Sequence, residues 1–294
     1  MKTALFMLLA ILPLAAREPL AQRIAHTDPA QYHTVKAIHG GAGQMEIMQL
    51  LDAHALDTNL CFLHRGVLDP HSGIGHHFHN QCEEMFIVFD GEAEFTIDGR
   101  TSVLKGTVGA PCRMGHSHAI YNPSDHPVEF MNINVTAVKG KYDAFDLGDA
   151  RTNVAKDTIP VFMTMRLDKE LLRAVQGYHG GEGTAKYRRA LDPSVFHSNW
   201  SYMDHLLLPP GASEGLHRHP GIEEVYYVLN GDGQTQVNED TAQIHKGDAV
   251  PVLLNEVHSF KNNSSQDLEF MIIGIASQKG VLETVLGGMG NDEE

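Results

Sequence analysis

Continuous apolar runs cut by polar turns set the rhythm of this chain. Glu84-Met85-Phe86-Ile87-Val88-Phe89 and Glu224-Val225-Tyr226-Tyr227-Val228-Leu229 are rich in β-branched and aromatic residues. Each stops at a hairpin signal, Asp90-Gly91 or Asn230-Gly231. Ala93-Glu94-Phe95-Thr96-Ile97 leads to another, Asp98-Gly99, and residues 127–135 and 268–276 read as further strands. Short strands between Gly and Asx turns predict an all-β sandwich or barrel. One stretch departs from this, because residues 167–175 carry apolar positions at helical spacing and predict a short helix. Pro19 and Pro29 argue against a continuous helix over residues 17 to about 34, which read as an arm.

The pattern occurs twice at a constant offset of 140 residues. His39-Gly40-Gly41-Ala42-Gly43 matches His179-Gly180-Gly181-Glu182-Gly183, Leu51-Asp52 matches Leu191-Asp192, and Glu129-Phe130-Met131 matches Glu269-Phe270-Met271. A register held without insertion over almost one hundred residues indicates duplication of one structural unit. The expected division is an N-terminal barrel with its arm at 17–139, a connector or lid at 140–174, a C-terminal barrel at 175–280 and an acidic tail at 281–294. The HGGxG segments lack the Lys-Ser/Thr ending and following helix of a phosphate cradle, so they read as turns needing positive φ.

Within each copy two His stand at i and i+2, His77/His79 and His217/His219. Each pair is followed by a carboxylate, Glu84 or Glu224, and 34 residues later by a third His, His118 or His258. Side chains at i and i+2 of a strand share a face, so each copy offers imidazoles to one point. Three imidazoles and a carboxylate suit a divalent transition metal, one per barrel, with Fe or Mn favoured and Zn, Ni or Cu also compatible. Glu83 and Glu223 fall on the opposite face and are expected to point outward, and His76 and His116 read as rim residues of the first site. Two residues past the ligand Glu the copies differ, Phe86 against Tyr226, and only a phenol can relay a proton. Acid–base chemistry, if confined to one site, is therefore expected at the second, with Tyr226 assisting. Arg113, His116 and Tyr121 are candidates for holding an anionic substrate at the first.

Charge narrows the partners. With 22 Lys and Arg against 37 Asp and Glu, the net charge of −15 disfavours nucleic acid and anionic membranes and leaves a small-molecule substrate. Self-association into a homo-oligomer stays open. Lys2, the apolar 4–14 stretch and Ala15-Ala16 read as a secretory signal over 1–16, which places the mature protein in the periplasm or outside the cell, free of the membrane. Cys61, Cys82 and Cys112 are odd in number and confined to the first copy, so they do not form a disulfide framework.

These residues resemble the cupin superfamily, specifically its two-domain bicupins. The first cupin motif is complete in the second copy as Gly211, His217, His219, Glu224 and Gly231. The first copy has His77, His79, Glu84 and Gly91, with His71 in place of the opening Gly. The second motif stands as Gly115, His118 and Asn122, and as Asn255, His258 and Asn262. The resemblance covers about 35–137 and 175–277. It implies two tandem double-stranded β-helix (jelly-roll) barrels, each holding a metal at its mouth. It also implies an oxygen-dependent dioxygenase or an oxalate-decarboxylase-like enzyme. A non-redox isomerase, epimerase or lyase on a sugar acid or hydroxy acid is the alternative, and a non-catalytic metal- or ligand-binding protein is the third reading.

Overall fold

The strand Cys82–Val88 shows how the apolar runs are used. Phe86 and Val88 enter the interior of the first barrel, while Met85 and Ile87, on the other face, enter a separate core between the barrels. A strand covered on both faces needs apolar residues at successive positions, so the sequence shows a continuous run there. The same holds for Ile222–Asn230, with Tyr226 and Val228 inside the second barrel and Val225 and Tyr227 between the two. The computed structural model describes residues 18–287; the expected leader at 1–16 and residues 288–294 of the tail lie outside the described residues. None of its helices is long and apolar enough to cross a membrane.

The fold is two tandem jelly-roll barrels, each made of a seven-stranded and a five-stranded sheet. The outer faces of the seven-stranded sheets pack against one another around Met85, Met131, Ile133, Trp200, Met203 and Ile273. Elements recur at the 140-residue offset well beyond the range legible in the sequence. The 3₁₀ turn Pro29–Gln31 matches Lys169–Leu171, and the strand Phe145–Asp149 matches Val285–Leu286. The helix expected over 167–175 is therefore a 3₁₀ turn followed by the strand Arg173–Gln176. Its apolar spacing is satisfied by Leu167 and Leu172 packing on the barrels. The beginning of the expected tail is a strand, Val285–Leu286 pairing with Arg218 and His217.

The arm crosses over. Ala25–His26 pairs with Ala249 and Asp248 of the second barrel, and Leu20 and Ile24 sit in that barrel's core. The repeat-equivalent Met165–Arg166 pairs with Gly109 and Val108 of the first barrel. Each barrel is thus edged by the segment that leads into the other. Glu83 and Glu223, expected to point outward, are buried in the same interface. Glu83 accepts from the backbone N–H groups of His197 and Ser198, and Glu223 from those of Thr58 and Leu254. They do face away from the ligand Glu, but the next barrel covers that side.

Candidate metal centres

In the first barrel His77 and His79 lie on Ser72–His79, Glu84 on Cys82–Val88 and His118 on His116–Asn122. One ligand atom from each lies within 4.8 Å of the others, and the same is true of His217, His219, Glu224 and His258. All eight side chains are buried. The distant third His arrives by cross-strand pairing, since His118 is the register partner of His77 and His258 of His217.

Apart from His118, whose Nδ1 has no partner, the outer ring nitrogens are tied to the backbone. His77 Nδ1 donates to Gly75 O, and His217, His219 and His258 Nδ1 donate to Gly215, Glu283 and Glu256 O. This fixes the tautomer and leaves Nε2 lone pairs facing inward. In the first barrel His118 Nε2 lies 3.0 Å from His77 Nε2 and 3.2 Å from His79 Nε2. In the second, Nε2 of His217 has no hydrogen-bond partner, and Nε2 of His219 and His258 lie 3.3 and 3.2 Å from Glu224 Oε2. Convergent lone pairs in a buried pocket repel one another unless a cation lies between them. The residues present therefore fit a divalent metal.

The walls of the two centres differ. Glu84 accepts hydrogen bonds from Asn132 Nδ2 (2.8 Å) and Asn134 Nδ2 (2.7 Å). Burial, reinforced by the charge of neighbouring histidines, pushes His77 down to about 2 and His118 well below its ordinary value. Phe86 stacks on His118 with centroids 4.4 Å apart. A cavity of about 220 Å³ opens beside Glu84, walled by Ile38, Met45, Ile47, Phe62, Ile74 and Phe130, with His39, His64, Asn132 and Tyr142 as its polar members.

At the second centre Glu224 accepts instead from the Tyr202 hydroxyl (2.7 Å) and the Tyr226 hydroxyl (3.3 Å). Burial alone would pull His219 down, but the charge and hydrogen bond of Glu224 outweigh it and lift His219 to about 9. The same pairing holds Glu224 well below the usual carboxylate range despite its burial. Burial lowers His217 to about 4. The adjoining cavity is smaller, about 140 Å³, and its wall includes Tyr178, Tyr187, Arg189, Tyr202 and Asp204.

Of the further candidates, Tyr226 is at the centre, its hydroxyl 3.3 Å from Glu214 Oε1 and 3.4 Å from His258 Nε2. Arg113 and His116 are not beside the ligands. They line a separate cavity with Asp98, Phe162 and Val195, and His116 Nδ1 is 2.6 Å from Asp98 Oδ2. His76 faces away from His77 and meets Ser117 Oγ at 2.8 Å.

Three groups at the centres went unrecognised in the sequence. The HGGxG segments press His39 onto His77, centroids 3.9 Å apart, and His179 toward His217, at 4.1 Å. The positive-φ expectation holds for Gly40 and Gly43, but Gly41 is required by close approach: a Cβ there would meet Gly73 O at 2.1 Å. His39 and His179 themselves take left-handed φ of 51° and 50°, an uncommon conformation that a functional site can justify. The third group is Glu214. A histidine repeated in both motifs was the signal available for the first two; for Glu214 it was the mismatch with Ile74.

A cupin domain profile matches residues 64–134 and 204–274. An oxalate-binding protein of Thermotoga maritima is 32% identical over 111 residues, 38% of this chain and 92% of that protein. Among solved structures, an oxalate decarboxylase–formate complex from Lactobacillus farciminis superposes with TM-score 0.62 at 16% identity, covering 89% of this chain and 88% of that one. Oxalate decarboxylase from Bacillus subtilis at pH 4.6 gives 0.59 at 16% identity, covering 89% and 78%. At such identity these two share the fold.

Proposed function

The chain belongs to the cupin family, and from that premise we propose that it is a metal-dependent bicupin enzyme acting on a small organic acid. The reaction is oxygen-dependent and of the oxalate-decarboxylase type. One observation carries the reading. The first centre sets three imidazoles and a single carboxylate around one point, so a divalent ion held by His77, His79, Glu84 and His118 keeps one net positive charge beside an apolar cavity. In that low-dielectric setting a substrate carboxylate is drawn to the ion strongly. When bound, the ion supplies Lewis-acid polarisation of the carboxylate and, as Mn or Fe, one-electron redox chemistry.

The protein supplies position and dryness. Asn132 and Asn134 hold both oxygens of Glu84, and Phe62, Ile74 and Phe130 line the cavity with apolar surface. His39 packs on His77 and is anchored to Asp146 at 2.6 Å, with the Tyr142 hydroxyl 3.4 Å from its other nitrogen. Among the described residues the cavity wall contains no Lys or Arg, so it favours an acid presenting one negative charge, hydrogen oxalate included. Cleaving hydrogen oxalate breaks its C–C bond. One carbon leaves as carbon dioxide, and the other takes the proton to give formate, with no net oxidation. The names of the Thermotoga relative and of the decarboxylases support this substrate class.

The test is incubation of Mn- and Fe-loaded protein with oxalate and a panel of small mono-acids, following oxygen and products. Oxygen-dependent product formation is expected, and no turnover on any acid ends the reading. A second reading, non-redox proton transfer at the second centre, draws on the Tyr226 hydroxyl lying among Glu214, Glu224 and His258. Anaerobic turnover with Mn or Zn would favour it.

A further inference from the structure

Glu214 gives the second centre a charge that the first lacks. It stands three residues before His217, where the first barrel has Ile74 in its apolar core. The local backbone makes room for it. The first barrel runs a continuous strand, Ser72–His79, whereas its counterpart is regular only over His217–Arg218, with Ser213 held to Lys261 by an isolated bridge and Glu214 N–H still donating to Phe260 O.

The Glu214 side chain is fully buried, and its immediate ion-pair partners are imidazoles. Oε1 meets His179 Nδ1 at 3.1 Å and the Tyr226 hydroxyl at 3.3 Å, and lies 3.6 Å from His217 Nε2. Oε2 has no partner, and neither has Nε2 of His217, 3.6 Å from Oε1. A buried carboxylate with a bare oxygen is costly, and burial would push its proton affinity up. The imidazoles of His179 and His217 stand beside Oε1 and offset part of that cost, while Oε2 is left open.

A carboxylate oxygen and an imidazole lone pair left open in one buried pocket, beside the carboxylate of Glu224, describe part of a cation's coordination shell. The charges agree, since Glu214 and Glu224 together neutralise a divalent ion whereas Glu84 alone leaves one positive charge. Resting on the reading that each barrel holds a divalent ion, we propose that Glu214 is a fifth protein ligand of the second-barrel ion. This makes the second centre closed and neutral and confines substrate binding to the first barrel. His179 is then a positioning residue, holding Oε1 so that Oε2 turns inward.

The experiment is Mn(II) titration of full-length protein in which His77→Ala and His118→Ala have emptied the first centre, with water-proton relaxation reporting exchangeable water on the ion. Glu214→Gln keeps the shape and loses the charge. It is expected to weaken Mn(II) binding about tenfold or more and to raise relaxation by admitting water. Unchanged affinity and relaxation in a variant folded by circular dichroism overturn the proposal. The reverse change, Ile74→Glu in an otherwise native chain, is expected to tighten Mn(II) at the first centre and lower its relaxation. It supplies the answer if Glu214→Gln does not fold, and no change there overturns the proposal. These readouts do not involve turnover, so failure of the organic-acid reading leaves them intact. A second centre that takes up no divalent ion would sink both.

Discussion

Glu84 is oriented by two carboxamides, Asn132 and Asn134, whereas its counterpart Glu224 is oriented by two phenols, Tyr202 and Tyr226. The exchange is concerted. Where the first barrel has Phe62, Phe86, Asn132 and Asn134, the second has Tyr202, Tyr226, Ile272 and Gly274. Gly274 is part of the set because the Tyr202 ring lies over it, 2.4 Å from where a Cβ would be. A ligand carboxylate needs donors, but either kind will serve, and the choice decides what surrounds the ion. Carboxamides leave the first centre beside an apolar cavity, and phenols with Glu214 fill the second with polar groups.

The largest effects separate the centres outright. His118→Ala and His258→Ala should each lower the metal content from about two ions per chain to about one. Only the first should lower organic-acid turnover, by about 100-fold or more. Equal loss of turnover in both would break the division of labour. Next comes packing. Gly274→Asn, the first-barrel residue, forces the Tyr202 ring aside and should cost about 1–3 kcal/mol by overpacking, read from denaturant unfolding of the metal-free protein. Asn134→Gly, the converse change, removes a donor from a charged acceptor and should cost about 1.5–3 kcal/mol.

Protonation distinguishes the centres more gently. At pH 7 the depressed His77 and His118 are already neutral, so the first centre should take up its ion without displacing protons from them. His219, at about 9, is protonated and should release about one proton when the second centre fills. Calorimetry in buffers of different ionisation enthalpy would show the difference. Without metal the signs oppose. Groups lowered on folding favour the unfolded state once pH falls below its imidazole value of about 6.5, so acid should loosen the first barrel around His77 and, at lower pH, the second around His217. A group raised on folding contributes fully below that value and is lost as pH rises through its folded value of about 9, so alkali should loosen the second barrel around His219. Hydrogen exchange resolved by barrel would detect both. The smallest effect is Tyr226→Phe, which should cost about 1 kcal/mol of stability. Turnover at the first centre should be unaltered, and a large fall would transfer the chemistry to the second.

The eight ligands were legible because strand geometry has a fixed period and the duplication prints it twice. Glu214 was not, since a lone carboxylate in Gly-Ala-Ser-Glu-Gly looks like a surface loop until the fold buries it. The HGGxG segments read as turns, which they are, but a turn signal does not say what it presses against. Arg113 and His116 stand close to His118 in sequence yet line another cavity, because Arg113 lies in the loop after Val108–Cys112 and His116, at the end of its strand, is held by Asp98. Glu83 and Glu223 point away from the ions as strand alternation requires, and only the packing of one barrel on the other shows that this direction is inward.

The crossed arms bear on how such a chain arose. Ala25–His26 closes the far barrel and Met165–Arg166 closes the near one, so severing the polypeptide between 149 and 165 would leave two pieces still clasped by each other's leading strands. A half-length ancestor, before its gene doubled, would have met the same need by clasping a twin across a two-fold axis. Fusion then made that partnership permanent.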